Sequence, residues 1–311
     1  MLNPGNYLRA LFIAFAILFV CNSAQAADLK LHKITDNVYA IIGPLTNRTP
    51  ENLGNNANFG VIVTSQGVVV IDPGGTYKGA ERIHKLIKTV TDKPVRFVID
   101  TGGQDHRWLG NGYFKALGAK IIANQRAVED QKERTRDQLF MLGNLVGVPG
   151  LEKTEPVYAD TTFDDVYKFS PGGVDIEIHY AGQAHTPGDS FVWLPQSKIM
   201  FTGDIVYVDR MLGIMSHSNS KSWVQVFEKL ASYKPAQIVP GHGSVTNLQK
   251  ATRDTYDYLV HLRTQVRAFM DAGIGIDKIS NLDQSKFEYL ENYETLKGRN
   301  AQQVYQEMEW E

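Results

Sequence analysis

Three segments in the second half of this 311-residue chain each present one metal-competent side chain in a glycine-rich turn. They are Ala181-Gly182-Gln183-Ala184-His185-Thr186-Pro187-Gly188-Asp189-Ser190, Phe201-Thr202-Gly203-Asp204 and Val239-Pro240-Gly241-His242-Gly243. Neutral imidazole nitrogens and a carboxylate oxygen are the usual donors to zinc and related ions. Each segment ends an apolar, β-branched run, so His185, Asp204 and His242 stand where strands finish. Three such residues at strand ends point to one metal site at the mouth of a sheet.

The elements that must bring them together read as patterns. Val38–Ile42 is a first strand, followed by a polar, Asn-rich loop from Thr46 to Asn58. Phe59–Thr64 and Gly67–Asp72 form a hairpin around Ser65-Gln66, with the continuous apolar runs of buried strands. A helix follows from Lys78 to Val90, with Ala80, Ile83, Ile87 and Val90 on one face. Val95–Asp100 is a strand, Gly110 to Leu117 a short helix, Ala119 to Ala123 a strand, and Gln125 to about Leu145 a helix. The second half supplies strands at Tyr167–Phe169, Val174–Tyr180, Phe191–Leu194 and Lys198–Phe201. An amphipathic helix (Ser220 to Tyr233) and a strand (Ala236 to Val239) come next. Asn247 to Ala272 reads as one long helix, and the tail from Ala301 to Trp310 as a last helix with Tyr305 and Trp310 in core contacts. Two comparable strand-then-helix halves imply a four-layer αβ/βα sandwich.

The order and context of these segments resemble the metallo-β-lactamase-fold hydrolase superfamily, from about Val38 to about Gln265. The resemblance implies the same α/β four-layer sandwich and metal roles for His185, Asp204 and His242. It also implies further ligands from a T-H-x-H-x-D-H stretch. The matching segment here is Thr101-Gly102-Gly103-Gln104-Asp105-His106-Arg107-Trp108-Leu109-Gly110-Asn111. In the gapless register the family's first two His become Gly102 and Gln104, its Asp becomes His106 and its third His becomes Arg107. The first metal position then keeps His185 and Asp204 but loses two imidazoles. At the second stand His106, Asp204 and His242, three protein ligands with open positions, the arrangement of a catalytic metal. One zinc ion per chain is the expectation, with iron as the alternative because the set also resembles the two-His, one-carboxylate triad of Fe(II).

A guanidinium about 5 Å from a dication costs roughly 6–7 kcal/mol of raw Coulomb energy at an effective dielectric near 20. Arg107 therefore disfavours a second ion unless it turns away or pairs with Asp105. A substrate-carboxylate clamp or a structural ion pair would each account for it. Asp72 either supports the ligand loop or caps the next helix.

Hydrolysis of a small ester, thioester or lactam by a metal-activated water is the reaction the resemblance implies. His185 and Gln104 would orient that water, and Asp105 would carry a proton if the loop were displaced by one residue. An Fe(II)-dependent oxidoreductase like the persulfide-oxidising members, and a non-catalytic metal- or ligand-binding protein, are the other readings. His32, His84, His179, His217 and His261 read as ordinary solvated or core residues. The loop around His217 is accounted for by Ser218 or Asn219 as a helix cap.

A formal charge of -2 gives no reason to expect a nucleic acid or an anionic membrane as partner. A small-molecule substrate is expected instead. Arg9, the apolar run Ala10 to Val20 and Ala24-Gln25-Ala26 read as a signal peptide cleaved after Ala26. The mature chain, 27–311, would be one periplasmic or secreted domain without stable membrane insertion, its C-terminal helical part starting at about 246. Anchoring as a lipoprotein at Cys21 is the rival. Cys21 is the sole cysteine, so the mature chain has neither a disulfide nor a thiolate ligand.

Overall fold

The computed structural model describes residues 29–311; the signal-like segment and Cys21 lie outside them. Among the described residues, twelve strands form two sheets. The first runs in chain order through β1 (Lys30–Lys33), β2 (Val38–Ile42), β3 (Phe59–Thr64), β4 (Gly67–Ile71), β5 (Val95–Asp100), β6 (Lys120–Asn124) and β7 (Thr161–Phe163). Neighbours are antiparallel up to β4 and parallel from β4 onward. The second contains β8 (Val166–Phe169), β9 (Ile176–Tyr180), β10 (Ser190–Leu194), β11 (Ile199–Phe201) and β12 (Gln237–Val239). Only its β11–β12 pair is parallel.

Strand alternation sorts the apolar side chains into three clusters, the interiors of four layers. Val61, Val68, Val70 and Val98 pack outward on Ala80, Ile83 and Ile87 of α1 (Tyr77–Ile87) and on Phe114 of α2 (Asn111–Ala116). Ile62, Val69, Ile71 and Ile99 face inward, against Ile178, Val192, Leu194 and Phe201 of the other sheet. On its far side the second sheet offers Phe191, Trp193 and Met200 to the C-terminal helices. The remaining helices are α3 (Gln125–Val146), α4 (Val148–Leu151), α5 (Ser220–Ala231), α6 (Leu248–Ala251), α7 (Asp257–Asp271) and α8 (Tyr293–Met308). The αβ/βα sandwich expected from the pattern is the one observed. Among the described residues, no helix is long and apolar enough to cross a membrane.

Three expectations change. The long helix after Asn247 is broken by a π-helical turn, Thr252–Tyr256, between α6 and α7. Thr255 explains it: its hydroxyl donates to Tyr207 O (2.6 Å) and accepts from Tyr207 N (3.0 Å), tying the turn to the segment after Asp204. Trp310 is no core contact; it is 91% exposed, whereas Tyr305 is buried. The strands β1 and β7 had no apolar run to announce them.

Candidate metal centre

Asp72, the Thr101–Gly110 loop, Asp204 and His242 all follow the C-terminal ends of strands. Asp72 takes a left-handed φ of 61° just after β4. Its Oδ1 accepts from the Thr101 amide (2.8 Å) and hydroxyl (2.9 Å), and its Oδ2 from Arg107 Nη1 (2.8 Å). Thr76, not Asp72, caps α1. Asp72 therefore braces the loop. Gly203, with φ 49°, must be glycine: a Cβ there would fall on Thr101 Oγ1, and one on Gly241 would fall on Gly203 O. The Asp204 and His242 turns thus meet backbone to backbone.

That contact brings His106, Asp204 and His242 together, each buried. His106 Nε2 lies 3.1 Å from Asp204 Oδ2, and His242 Nε2 lies 3.2 Å from Asp204 Oδ1. His242 Nδ1 donates to Asn56 O (2.9 Å), so its Nε2 can present a lone pair. His106 Nδ1 faces Asp105 Oδ1 at 3.2 Å and Arg48 Nη2 at 2.9 Å. Burial would raise the Asp204 pKa, yet Arg107 and then His106 hold it well below the carboxylate range. Burial lowers that of His242.

Arg107 does not pair with Asp105. Its Nη2 and Nε donate to the two oxygens of Asp204 (2.7 and 3.2 Å), and its remaining donors reach Asp72, Asn58 O and Gly241 O. Fully buried, it is a structural ion pair. Asp105 instead takes Arg48, whose Nε and Nη2 both reach its Oδ1 (3.0 and 2.5 Å). Burial raises the Asp105 pKa, but Arg48 and His106 together pull it far below its usual value.

Around the first position the donors are sparse. His185 stands beside the trio but outside it. Its Nδ1 donates to Gly213 O (2.9 Å), and burial lowers its pKa to about 4. Gln104 is half-buried and its amide leans on Asp105 (3.4 Å). A Cβ at Gly102 would collide with Asp189 Oδ1, whose carboxyl is held by the amide and hydroxyl of Thr186. Burial, then the charge of Asp204, raises the Asp189 pKa to about 8. His217 lies in the same wall, its ring centroid 6.2 Å from that of His185 and its Nε2 sealed without a partner.

Four ligands about 2.0–2.1 Å from a tetrahedral zinc ion lie about 3.3 Å apart. His106 Nε2 and His242 Nε2 each stand near that separation from one oxygen of Asp204, and the three residues offer ligand atoms within 4.8 Å of one another, close enough to share one ion. The first position fits poorly: Gly102 has no side-chain donor, and Asp189 Oδ1 stands where a Cβ at Gly102 would go.

Several residues escaped the sequence reading. Arg48, Asn56 and Asn58 come from the Asn-rich loop; Asn58 Nδ2 holds the His242 turn through Pro240 O (2.9 Å) and Gly243 O (2.7 Å). Asn300 of α8 binds Leu212 O (2.8 Å) and the Ile214 amide (2.9 Å), on either side of Gly213. All act over long sequence separations, for which local pattern carries no signal. Of the histidines read as ordinary, His84 bonds Tyr113, His179 bonds Glu177, and His261 bonds Asp283 O.

A family model described as the metallo-beta-lactamase superfamily matches residues 53–242, more than half of the chain. The metallo-beta-lactamase type 2 of Elizabethkingia meningoseptica is 27% identical over 249 residues, covering 78% of this chain and 90% of that protein. The type 2 enzyme of Bacteroides fragilis is 24% identical over 256 residues, with 76% and 90% covered. Among solved structures, a metallo-beta-lactamase from Pontibacter korlensis aligns at TM-score 0.60 and 24% identity, over 75% of this chain and 99% of that one. A double mutant of the sec-alkyl sulfatase PisA1 aligns at TM-score 0.69 and 18% identity, over 90% of this chain and 50% of that one. At such identity these two structures speak to fold alone. The 90% share must include part of the helices beyond Thr246.

Proposed function

Because this chain belongs to the metallo-beta-lactamase superfamily, we propose that it is a metal-dependent hydrolase working with one ion held by His106, Asp204 and His242. The approach of both Nε2 atoms to the Asp204 oxygens, at 3.1 and 3.2 Å, carries this reading. A zinc ion there would supply a water that ionises near neutral pH and a Lewis acid for the scissile carbonyl.

The chain's own residues do the rest. His185, kept neutral by burial and oriented by Gly213 O, offers Nε2 to hold the attacking water. Gln104 assists from the facing loop. Asp105 stays ionised against Arg48 and steadies His106, so proton carriage falls to His185. Arg107 fixes the orientation of the Asp204 carboxylate. A small ester, thioester or lactam is the substrate class; the relatives named as beta-lactamases favour a lactam or similar acyl compound. The signal-like segment supports export to the periplasm.

The two-His, one-carboxylate donor set itself favours a second reading, an Fe(II) oxidoreductase. Metal analysis of the purified mature chain, with esterase, lactamase and oxygen-consumption assays, separates the two. One zinc with hydrolytic turnover, both lost in His106→Ala, is the expected result. Iron with oxygen uptake would favour the second reading. A chain that holds no metal and turns over nothing would sink both and leave a non-catalytic binding protein.

A further inference from the structure

The Asn-rich loop sends one residue to each imidazole of the trio. Asn56 turns its carbonyl to His242 Nδ1 (2.9 Å), and Arg48 turns its Nη2 to His106 Nδ1 (2.9 Å). The two contacts have opposite consequences. A carbonyl only accepts, so His242 carries its proton on Nδ1 and keeps the Nε2 lone pair. A guanidinium only donates, so His106 Nδ1 must be the acceptor, and the proton of the neutral ring sits on Nε2. There it faces Asp204 Oδ2 at 3.1 Å. A metal-ligating ring needs the reverse, with Nδ1–H on an acceptor and Nε2 bare.

The acceptor that would serve is present but engaged. Asp105 Oδ1 lies 3.2 Å from His106 Nδ1, yet it already accepts from Arg48 Nε (3.0 Å), Arg48 Nη2 (2.5 Å) and the His106 amide (2.7 Å). Those donors saturate a carboxylate oxygen and leave no place for Nδ1–H. Arg210 makes a similar approach to His242 Nδ1, at 3.3 Å, but there Asn56 O is nearer and takes the proton. Arg48 is itself aimed by the loop: Asn56 Nδ2 donates to Thr46 O (3.0 Å) and Asn52 Nδ2 to Asn47 O (2.8 Å). Its side chain is 16% exposed, against 6% for Asp105 and 3% for His106, so of the three it has the way out.

We propose that Arg48 gates metal loading: it holds His106 in the Nε2–H tautomer, and an ion binds only when Arg48 yields Nδ1 to Asp105. The exchange shifts one proton across the ring and leaves its charge unchanged. Arg48 on His106 and an ion on Nε2 then exclude each other, which ties metal occupancy to the Asn-rich loop. The gate rests on the metal-centre reading for the ion, but not for the tautomer.

Two measurements on the purified full chain, stripped with a chelator, test it. Two-bond proton–nitrogen correlation spectra at mildly alkaline pH report which nitrogen of each ring holds the proton. The His106→Gln variant identifies the His106 signals. The wild type should show Nε2–H at His106, and Arg48→Met should turn that ring to Nδ1–H. Zinc affinity, read by competition with a chromophoric chelator, should rise about tenfold or more in Arg48→Met, the size typical of a partner that acts on a metal ligand. An Nδ1–H ring at His106 in the wild type overturns the gate, and that result needs no variant to fold. Unchanged or weaker zinc binding by Arg48→Met overturns it as well. So does a gain in affinity without a change of tautomer, which would reduce Arg48 to a distant charge. Those three outcomes leave the metal centre standing, whereas zinc binding by neither protein sinks the centre and the gate together.

Discussion

Asp204 borders two positions with opposite fates. On one side, two imidazoles and a carboxylate converge with ligand atoms within 4.8 Å of one another. On the other, only a half-buried amide and His185 remain, and the place of a side chain at Gly102 is not hollow: Asp189, bound by Thr186, occupies it. Both lie in the same dry interior, so burial does not separate them. The difference is in the repacking. Gln131 and Gln138 of α3 donate to the carbonyls of Gly102 (3.1 Å) and Gly103 (2.7 Å), locking a loop that has no ligand left to offer. A ligand position refilled by hydrogen-bonded side chains differs from one merely lacking its ligands, because restoring them requires displacing the filler.

Arg107 underlies both sides, and removing it gives the largest effect. Arg107→Met leaves Asp72 and Asp204 as buried, uncompensated charges, and should cost about 3–5 kcal/mol in urea unfolding. A loss below about 1 kcal/mol would show that the pair contributes little. Next, His242→Ala should lower zinc affinity by more than about 100-fold, beyond what loss of a supporting contact brings. His185→Ala should change it far less; equal losses would erase the distinction between the positions. Restoring imidazoles with Gly102→His and Gln104→His should leave the ion count at one and cost about 1–3 kcal/mol by overpacking against Asp189. Two ions per chain by elemental analysis would refute the repacking account.

The smallest effect is on pH. The folded pKa of Asp189, about 8, lies above its usual 3.8, so its contribution to stability is complete below pH 3.8 and is lost as pH rises through 8. His185 has the opposite sign: with a folded pKa of about 4, it gains stability from pH 4 to about 6.5. The two offset each other in that lower range, leaving a decline on the order of 1 kcal/mol from pH 6.5 to 8. Asp189→Asn should flatten it; an unchanged slope would assign the decline elsewhere.

Legibility tracked locality. Apolar runs located β3, β4 and β5 because a buried strand needs continuous apolar residues, whereas the half-exposed edge strands β1 and β7 do not. The glycine turns pointed to Asp204 and His242, and the gapless register to His106. The partner of Arg107 was misjudged because Asp105 is near in sequence but Asp72 and Asp204 are near in space. Arg48 and Arg210 went unseen for the same reason. Their contacts lie far along the chain: Asp105 is 57 residues from Arg48, and His242 is 32 from Arg210.

Asn300 hangs from the last helix yet grips the strap on both sides of Gly213, whose carbonyl aims the His185 ring. Pruning the chain after residue 292 would therefore loosen an imidazole more than a hundred positions upstream. The terminal helix acts as a tensioner for the wall beside the candidate metal centre.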